Sequence, residues 1–79
     1  MTHYRLYGTS ACHLCEQAEQ HLQVLGLTYS VHDIVDDAEL YQRYHLRIPV
    51  LVDADGRELD GPFSLLDLLQ WTSTVPPHP

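Results

Sequence analysis

A chain of 79 residues with 44% apolar side chains can fill one small core, which excludes a disordered tract and a multidomain assembly. Its net charge of −7, with four arginines and no lysine, disfavours nucleic acid as a partner, because phosphate contacts need clustered cations. No apolar run reaches membrane-span length, no signal-peptide pattern opens the sequence, and its only two cysteines share one short motif, so a reducing cytosol is the expected compartment.

Tyr4 and Leu6 alternate with polar neighbours from His3 to Tyr7, a strand that Gly8 ends. Beyond the Thr9-Ser10-Ala11 loop, the apolar spacing Leu14, Ala18, Leu22, Leu25 predicts a helix from about Cys12 to Leu25. Gly26 suits its C-terminal cap. The β-branched and aromatic residues of Thr28 to Val35 predict a second strand. Asp36, with Glu39 three residues on, reads as a capping box opening a short helix to about Tyr44, with Leu40 and Tyr44 on its buried face.

Ile48 to Val52 is a third strand, begun by a proline where a strand tolerates one. Asp53-Ala54-Asp55-Gly56 reads as a hairpin turn, with Arg57 to Leu59 returning as a fourth strand. Asp60-Gly61-Pro62 breaks the pattern. Ser64 then caps a last helix with Asp67 as reciprocal partner, and Leu65, Leu68, Leu69 and Trp71 are available to bury. Residues 75–79 are expected to form a flexible tail. The order β-α-β-α-β-β-α predicts an α/β domain spanning 1–79: a parallel β-α-β unit plus an antiparallel hairpin, giving a four-stranded mixed sheet flanked by helices.

The chemistry centres on Cys12-His13-Leu14-Cys15. Cys12 falls at or near the first residue of its helix, where unpaired N–H groups and the macrodipole favour an anion such as a thiolate. Cys15, one turn on, lies on the same face and within disulfide reach. The pattern reads as a dithiol–disulfide redox pair. Two buried thiols or half of a metal site is the alternative, but zinc wants four ligands and no second cysteine pair exists; His3, His13 and His45 lack finger-like spacing. His13 either favours the neighbouring thiolate when protonated or is simply solvated. Glu16 suits the first helical turn, yet its charge opposes a nearby thiolate. Arg47 is either a surface side chain or the cation that holds an anionic ligand.

The chain resembles the thioredoxin fold in its smallest, glutaredoxin-like form, over about residues 4–71. The resemblance rests on Tyr7 before a Thr/Ser loop, the C-x-L-C of Cys12 to Cys15 followed by Glu16, the Asp-rich end of strand two, Ile48-Pro49-Val50, and Asp55-Gly56-Arg57. It implies a thiol–disulfide oxidoreductase in which Cys12 attacks and Cys15 resolves. It further implies a cis Pro49 beside the cysteines, with Arg47, Ile48, Gly61 and His13 lining the substrate. The implied substrates are protein disulfides or glutathione mixed disulfides, handled by a monomer with no bound cofactor. Glutathione is a candidate co-substrate, and a thioredoxin-reductase-type protein a candidate electron donor.

Two departures from glutathione-using relatives stand out. No lysine precedes Cys12, and Asp60-Gly61-Pro62 replaces a Gly-Gly-Asp-like segment. Weak glutathione binding is therefore expected, with Arg47 set against Glu16 and Asp60. The other functional class left open is a non-catalytic module that binds a protein partner or a metal through the cysteine pair.

Overall fold

The computed structural model describes residues 3–73; the expected tail at 75–79 lies outside them. In chain order the elements are β1 (His3–Gly8), α1 (His13–Val24), β2 (Thr28–Asp33), a 3₁₀ turn (Ile34–Asp36), α2 (Ala38–Tyr44), β3 (Val50–Val52), β4 (Glu58–Asp60) and α3 (Leu65–Ser73). The strands form one sheet in the order β2-β1-β3-β4. β1 and β2 run parallel, as a pair joined by a crossover helix must, whereas β1–β3 and β3–β4 are antiparallel. This is the mixed four-stranded sheet expected from the element order.

Strand alternation splits the core into two layers. Tyr4, Leu6 and Leu51 face Ala18 and Leu22 of α1, Leu68 of α3, and Phe63. Tyr7, Val50 and Val52 point the other way, onto Ile34 and Tyr44. Gly26 ends α1 at φ 68°, a conformation that costs glycine little. The reciprocal cap of α3 is present: Asp67 N–H donates to Ser64 Oγ at 3.0 Å, and Ser64 N–H to Asp67 Oδ2 at 3.1 Å. Of the leucines offered by α3, Leu68 is fully buried, while Leu65 and Leu69 stay exposed. Leu14, expected on the buried face of α1, is exposed between the cysteines.

The element ends differ from the sequence reading for local reasons. β2 stops at Asp33 instead of Val35, because the Asp33 carboxylate accepts the Val35 N–H at 3.0 Å and turns the chain, driving Ile34 into the core. Asp37, in place of Asp36, caps α2: its Oδ1 accepts the N–H groups of Glu39 at 2.9 Å and Leu40 at 3.2 Å. β3 begins at Val50, since the Ile48 N–H still serves the Tyr44 carbonyl at 3.1 Å. β4 begins one residue late because Arg57 belongs to the turn.

That turn is built on Asp53, which is buried. Its Oδ1 accepts the N–H groups of Asp55 and Arg57, each at 2.9 Å, and its Oδ2 accepts Arg57 Nε at 2.7 Å. Burial alone would raise the carboxyl, but the side-chain and backbone hydrogen bonds from Arg57 and the one from Asp55 outweigh it and hold it below its ordinary value. The Arg57 guanidinium in turn lies 4.9 Å from the Trp71 ring centroid, tying the hairpin to α3. Asp53→Ala strands two backbone donors and should lower stability by about 1–3 kcal/mol. Asp55→Ala, at an exposed position, should change it by less than about 0.5 kcal/mol. Urea unfolding midpoints of the two variants check this; equal losses would show that the turn does not depend on Asp53.

Candidate active site

The chain enters the site through Ala11, whose φ of 58° lies in the left-handed region and costs a non-glycine residue about 1–2 kcal/mol. Cys12 follows as the N-cap of α1, in extended conformation, with its carbonyl accepting the Glu16 N–H at 3.1 Å. Its Sγ accepts the Cys15 N–H at 3.1 Å, so the sulfur itself caps the helix. Cys12 and Cys15 are joined as a disulfide, with Cα atoms 5.2 Å apart. Cys12 is half-buried and Cys15 buried.

Gly8 makes that burial possible. A Cβ built there would sit 2.9 Å from Cys15 Sγ and 3.2 Å from its Cβ, so a side chain would push the cysteine off the strand. Gly8 pairs with Asp33 on one side. On the other, β1–β3 pairing ends at Tyr7–Val50, the residues next to Gly8 and Pro49 in the chain. Disulfide and proline loop thus share one end of the sheet.

The Ile48–Pro49 and Gly61–Pro62 peptide bonds are both cis. Pro49 is fully buried. Its carbonyl accepts the Gly61 N–H at 2.6 Å, and a Cβ on Gly61 would fall 2.5 Å from two Pro49 ring carbons. The N–H of Gly61, a residue expected to line the substrate, is therefore used inside the protein. So is the N–H of Ile48, as noted above.

Arg47 requires the largest revision. Its Nε donates to Asp60 Oδ2 at 3.0 Å, and one terminal nitrogen reaches Asp60 Oδ1 at 2.7 Å and Glu58 Oε1 at 2.6 Å. Asp60 and Glu58 hold the guanidinium protonated beyond its ordinary range. Arg47 in turn holds Asp60 below the usual carboxylate value; Arg47 and then Tyr44 do the same for Glu58. Arg43 adds a contact to Glu58 at 3.4 Å. Tyr44 donates its phenol to Glu58 Oε2 at 2.7 Å and stacks on Tyr7, with ring centroids 4.8 Å apart. Burial first, and Glu58 second, raise the Tyr44 hydroxyl. Arg47 therefore fastens the loop before Pro49 to β4, and its charge is already matched. Asp60, expected to repel an anionic ligand, is matched by the same contact.

His13 is exposed, with its ring 4.0 Å from Glu16 and 3.3 Å from the Gln17 amide, contacts within its own helix.

A feature that sequence reading missed is a cavity of about 380 Å³ beside the disulfide. Leu6, Gly8, Val31 and Asp33 of the two parallel strands floor it, Cys15, Glu16 and Glu19 of α1 wall it, and Thr9, Ser10 and Ala11 rim it. Three carboxylates line it and no arginine does. The only sequence signal for it was i, i+3 placement of Glu16 and Glu19 on a helix beginning at the cysteines.

Gly8→Ala should displace Cys15 and speed its alkylation in the reduced protein at least several-fold, as well as lowering stability by the roughly 1–3 kcal/mol typical of overpacking; unchanged alkylation would remove Gly8 as the seat of Cys15. The Arg47 cluster makes a separate prediction. Glu58 and Asp60 have folded values below their unfolded ones, so their stabilisation is complete above the ordinary carboxylate range and disappears as pH falls through the folded values. Urea midpoints should therefore drop between about pH 5 and pH 2, and Arg47→Met should flatten that drop.

A family model described as Glutaredoxin-like domain (DUF836) matches residues 4–72. Among solved structures, the X. campestris protein XcR50, a structural-genomics target, is similar over 92% of this chain and 99% of its own, with TM-score 0.87 and 43% identity. Protein Ne2328 from Nitrosomonas europaea is similar over 89% of each chain, with TM-score 0.76 and 26% identity. The thioredoxin-like protein BC3987 is similar over 85% of this chain and 96% of its own, with TM-score 0.66 and 25% identity. A search of curated proteins gave no match. The family match runs from β1 through the cysteine pair into α3, and the chain belongs to the glutaredoxin-like domain family, on a thioredoxin-like fold.

Proposed function

We propose that the protein is a thiol–disulfide oxidoreductase that reduces disulfides of protein or small-molecule substrates. The observation that carries this reading is the asymmetry of the pair: Cys12 caps the helix and is half-exposed, while Cys15 is buried on Gly8. The Cys15 N–H lies 3.1 Å from Cys12 Sγ in the oxidised pair; kept after reduction, that contact favours the thiolate on Cys12 through a charge-assisted bond, and the start of α1 adds its dipole.

The step balances as follows. Cys12 thiolate attacks one sulfur of a substrate disulfide, forming a mixed disulfide and expelling the other sulfur as a thiolate, which takes a proton from solvent. Cys15 loses its proton and attacks Cys12 Sγ, expelling the second substrate thiolate. Two electrons pass to the substrate, and the protein is left with the Cys12–Cys15 disulfide. A dithiol donor then supplies two electrons to restore the reduced pair.

Glutathione fits this site poorly. Its two carboxylates need cations or free N–H groups. Arg47 is matched by Asp60 and Glu58, Gly61 N–H serves Pro49, and Ser64 N–H serves Asp67. A protein disulfide, or a small one without negative charge, suits the site better.

The test is a trapping experiment. Reduced Cys15→Ser protein is mixed with bis(2-hydroxyethyl) disulfide and analysed by mass spectrometry after proteolysis. The expected product is a stable adduct on Cys12, while the Cys12→Ser protein gives at most a trace and the unmodified protein turns over to its internal disulfide. Adducts forming at equal rates on either cysteine, or on neither, would favour the non-catalytic binding module.

A further inference from the structure

We infer that the cavity beside Cys15 selects substrates carrying a positive charge on an aliphatic stem close to the reacting sulfur, such as a cysteine flanked by lysine or an aminoalkyl thiol. This rests on the exchange reaction proposed above and names its substrate class. The cavity is a groove between α1 and the edge strand β2, and its volume of about 380 Å³ accommodates one long side chain. Leu6 and Val31 give it an aliphatic floor, and Val31 is 53% exposed, so apolar surface is open to be covered. A methylene stem covers such a surface while its charged end stays at the rim.

Three of the lining residues are carboxylates. Glu19 Oε1 accepts the Tyr29 phenol at 3.0 Å, and Asp33 Oδ1 accepts the Val35 N–H at 3.0 Å. In each case the second oxygen has no protein partner among the described residues. Among the described residues the Glu16 carboxylate has only the 4.0 Å contact with an exposed His13 ring.

No arginine can answer them. Arg43 and Arg47 are held by Glu58 and Asp60, and Arg57 by Asp53 in the turn at the opposite end of the sheet. Arg5 alternates to the opposite sheet face, 5.9 Å from the Tyr7 ring centroid. A ligand carboxylate entering the groove meets three like charges, whereas an ammonium meets three opposite ones. The groove adjoins the exchanging pair because Cys15, bonded to the attacking Cys12, forms part of its lining.

The test uses three disulfides that differ in charge: cystamine, bis(2-hydroxyethyl) disulfide and 3,3′-dithiodipropionate. Their leaving thiols differ in acidity, so the quantity compared is each charged probe's rate relative to the neutral one, in the unmodified protein and in Glu16→Gln/Glu19→Gln/Asp33→Asn. The amides preserve the bonds accepted from Tyr29 and Val35, which protects the fold. The cystamine ratio should fall about three- to tenfold in the variant at low salt, the range expected for partly exposed charge pairs. The dithiodipropionate ratio should rise, and both changes should fade at about 0.5 M salt. Identical ratios in the two proteins would overturn the inference while leaving the exchange reaction standing. A sulfur-free probe covers the converse case: 1,4-diaminobutane titrated into the oxidised protein should shift the backbone amides of Glu19, Val31 and Asp33. Those shifts support the cation-binding groove even where every disulfide proves inert, and their absence overturns it.

Discussion

The contact between Cys15 and Gly8 is the constraint on which the rest of the site depends. A Cβ at residue 8 would stand 2.9 Å from the buried sulfur, so α1 can begin directly on the end of β1 only because that strand closes on glycine. Once the helix starts there, Cys12 becomes the N-cap and Cys15 the first buried residue of the helix. The helix buries Ala18 and Leu22 against Leu6 of β1 and Leu51 of β3 and leaves Val31 of β2 exposed, and the groove opens there beside the disulfide. Helix position, cysteine asymmetry and cavity have one steric origin.

The proline loop on the other flank is held by polar contacts. Tyr44 and Arg47 reach Glu58, Arg47 also chelates Asp60, and Gly61 hands its N–H to the Pro49 carbonyl. Each contact joins the segment before Pro49 to β4 or to the residue just after it. Arg47 is about two-thirds buried and binds Asp60 bidentately, the geometry in which an arginine–carboxylate pair holds its partners most firmly. The donors of such a loop are spent on its own fastening. For the same reason it has few left to offer an incoming anion.

The architecture was legible in the sequence because its signals are local and agree with one another. Alternation at Tyr4 and Leu6, the apolar spacing of α1, Gly26, the Asp55-Gly56 turn and the Ser64–Asp67 cap each specify one element, and their order leaves little choice of sheet. The cysteine pair was equally plain from its place at a helix start. What escaped was whatever depends on which side chain meets which across the fold. Asp37 won its capping role from Asp36, a neighbour that looked as good in sequence, and Asp33 turned a chain that read as continuous strand. Asp53 read as an ordinary turn residue, yet it is the buried centre of the hairpin. Arg47 looked like a free cation because its partners lie on a strand whose register sequence could not fix to one residue. Leu14 fits the helical stripe, but the stripe faces solvent at its first turn.

The distribution of charge follows from that register. Glu58 and Asp60 lie opposite Val52 and Val50, on the sheet face that Tyr44 covers, and they attract Arg43 and Arg47 to it. Asp53 claims Arg57 at the far end of the sheet. With three of four arginines so committed, the excess acid that gives the chain its net charge of −7 is left without neutralisation elsewhere, and Glu16, Glu19 and Asp33 bring part of it to the end that carries the disulfide. A hydrogen-bonding pocket rejects a wrong ligand by stranding buried donors. This groove is open, so whatever discrimination it exerts must come from charge, which acts at longer range and yields to salt. On the proposed reading, an oxidoreductase built this way accepts many partners of one charge type instead of one partner of defined shape, and its selectivity is set by which carboxylates the arginines leave unpaired.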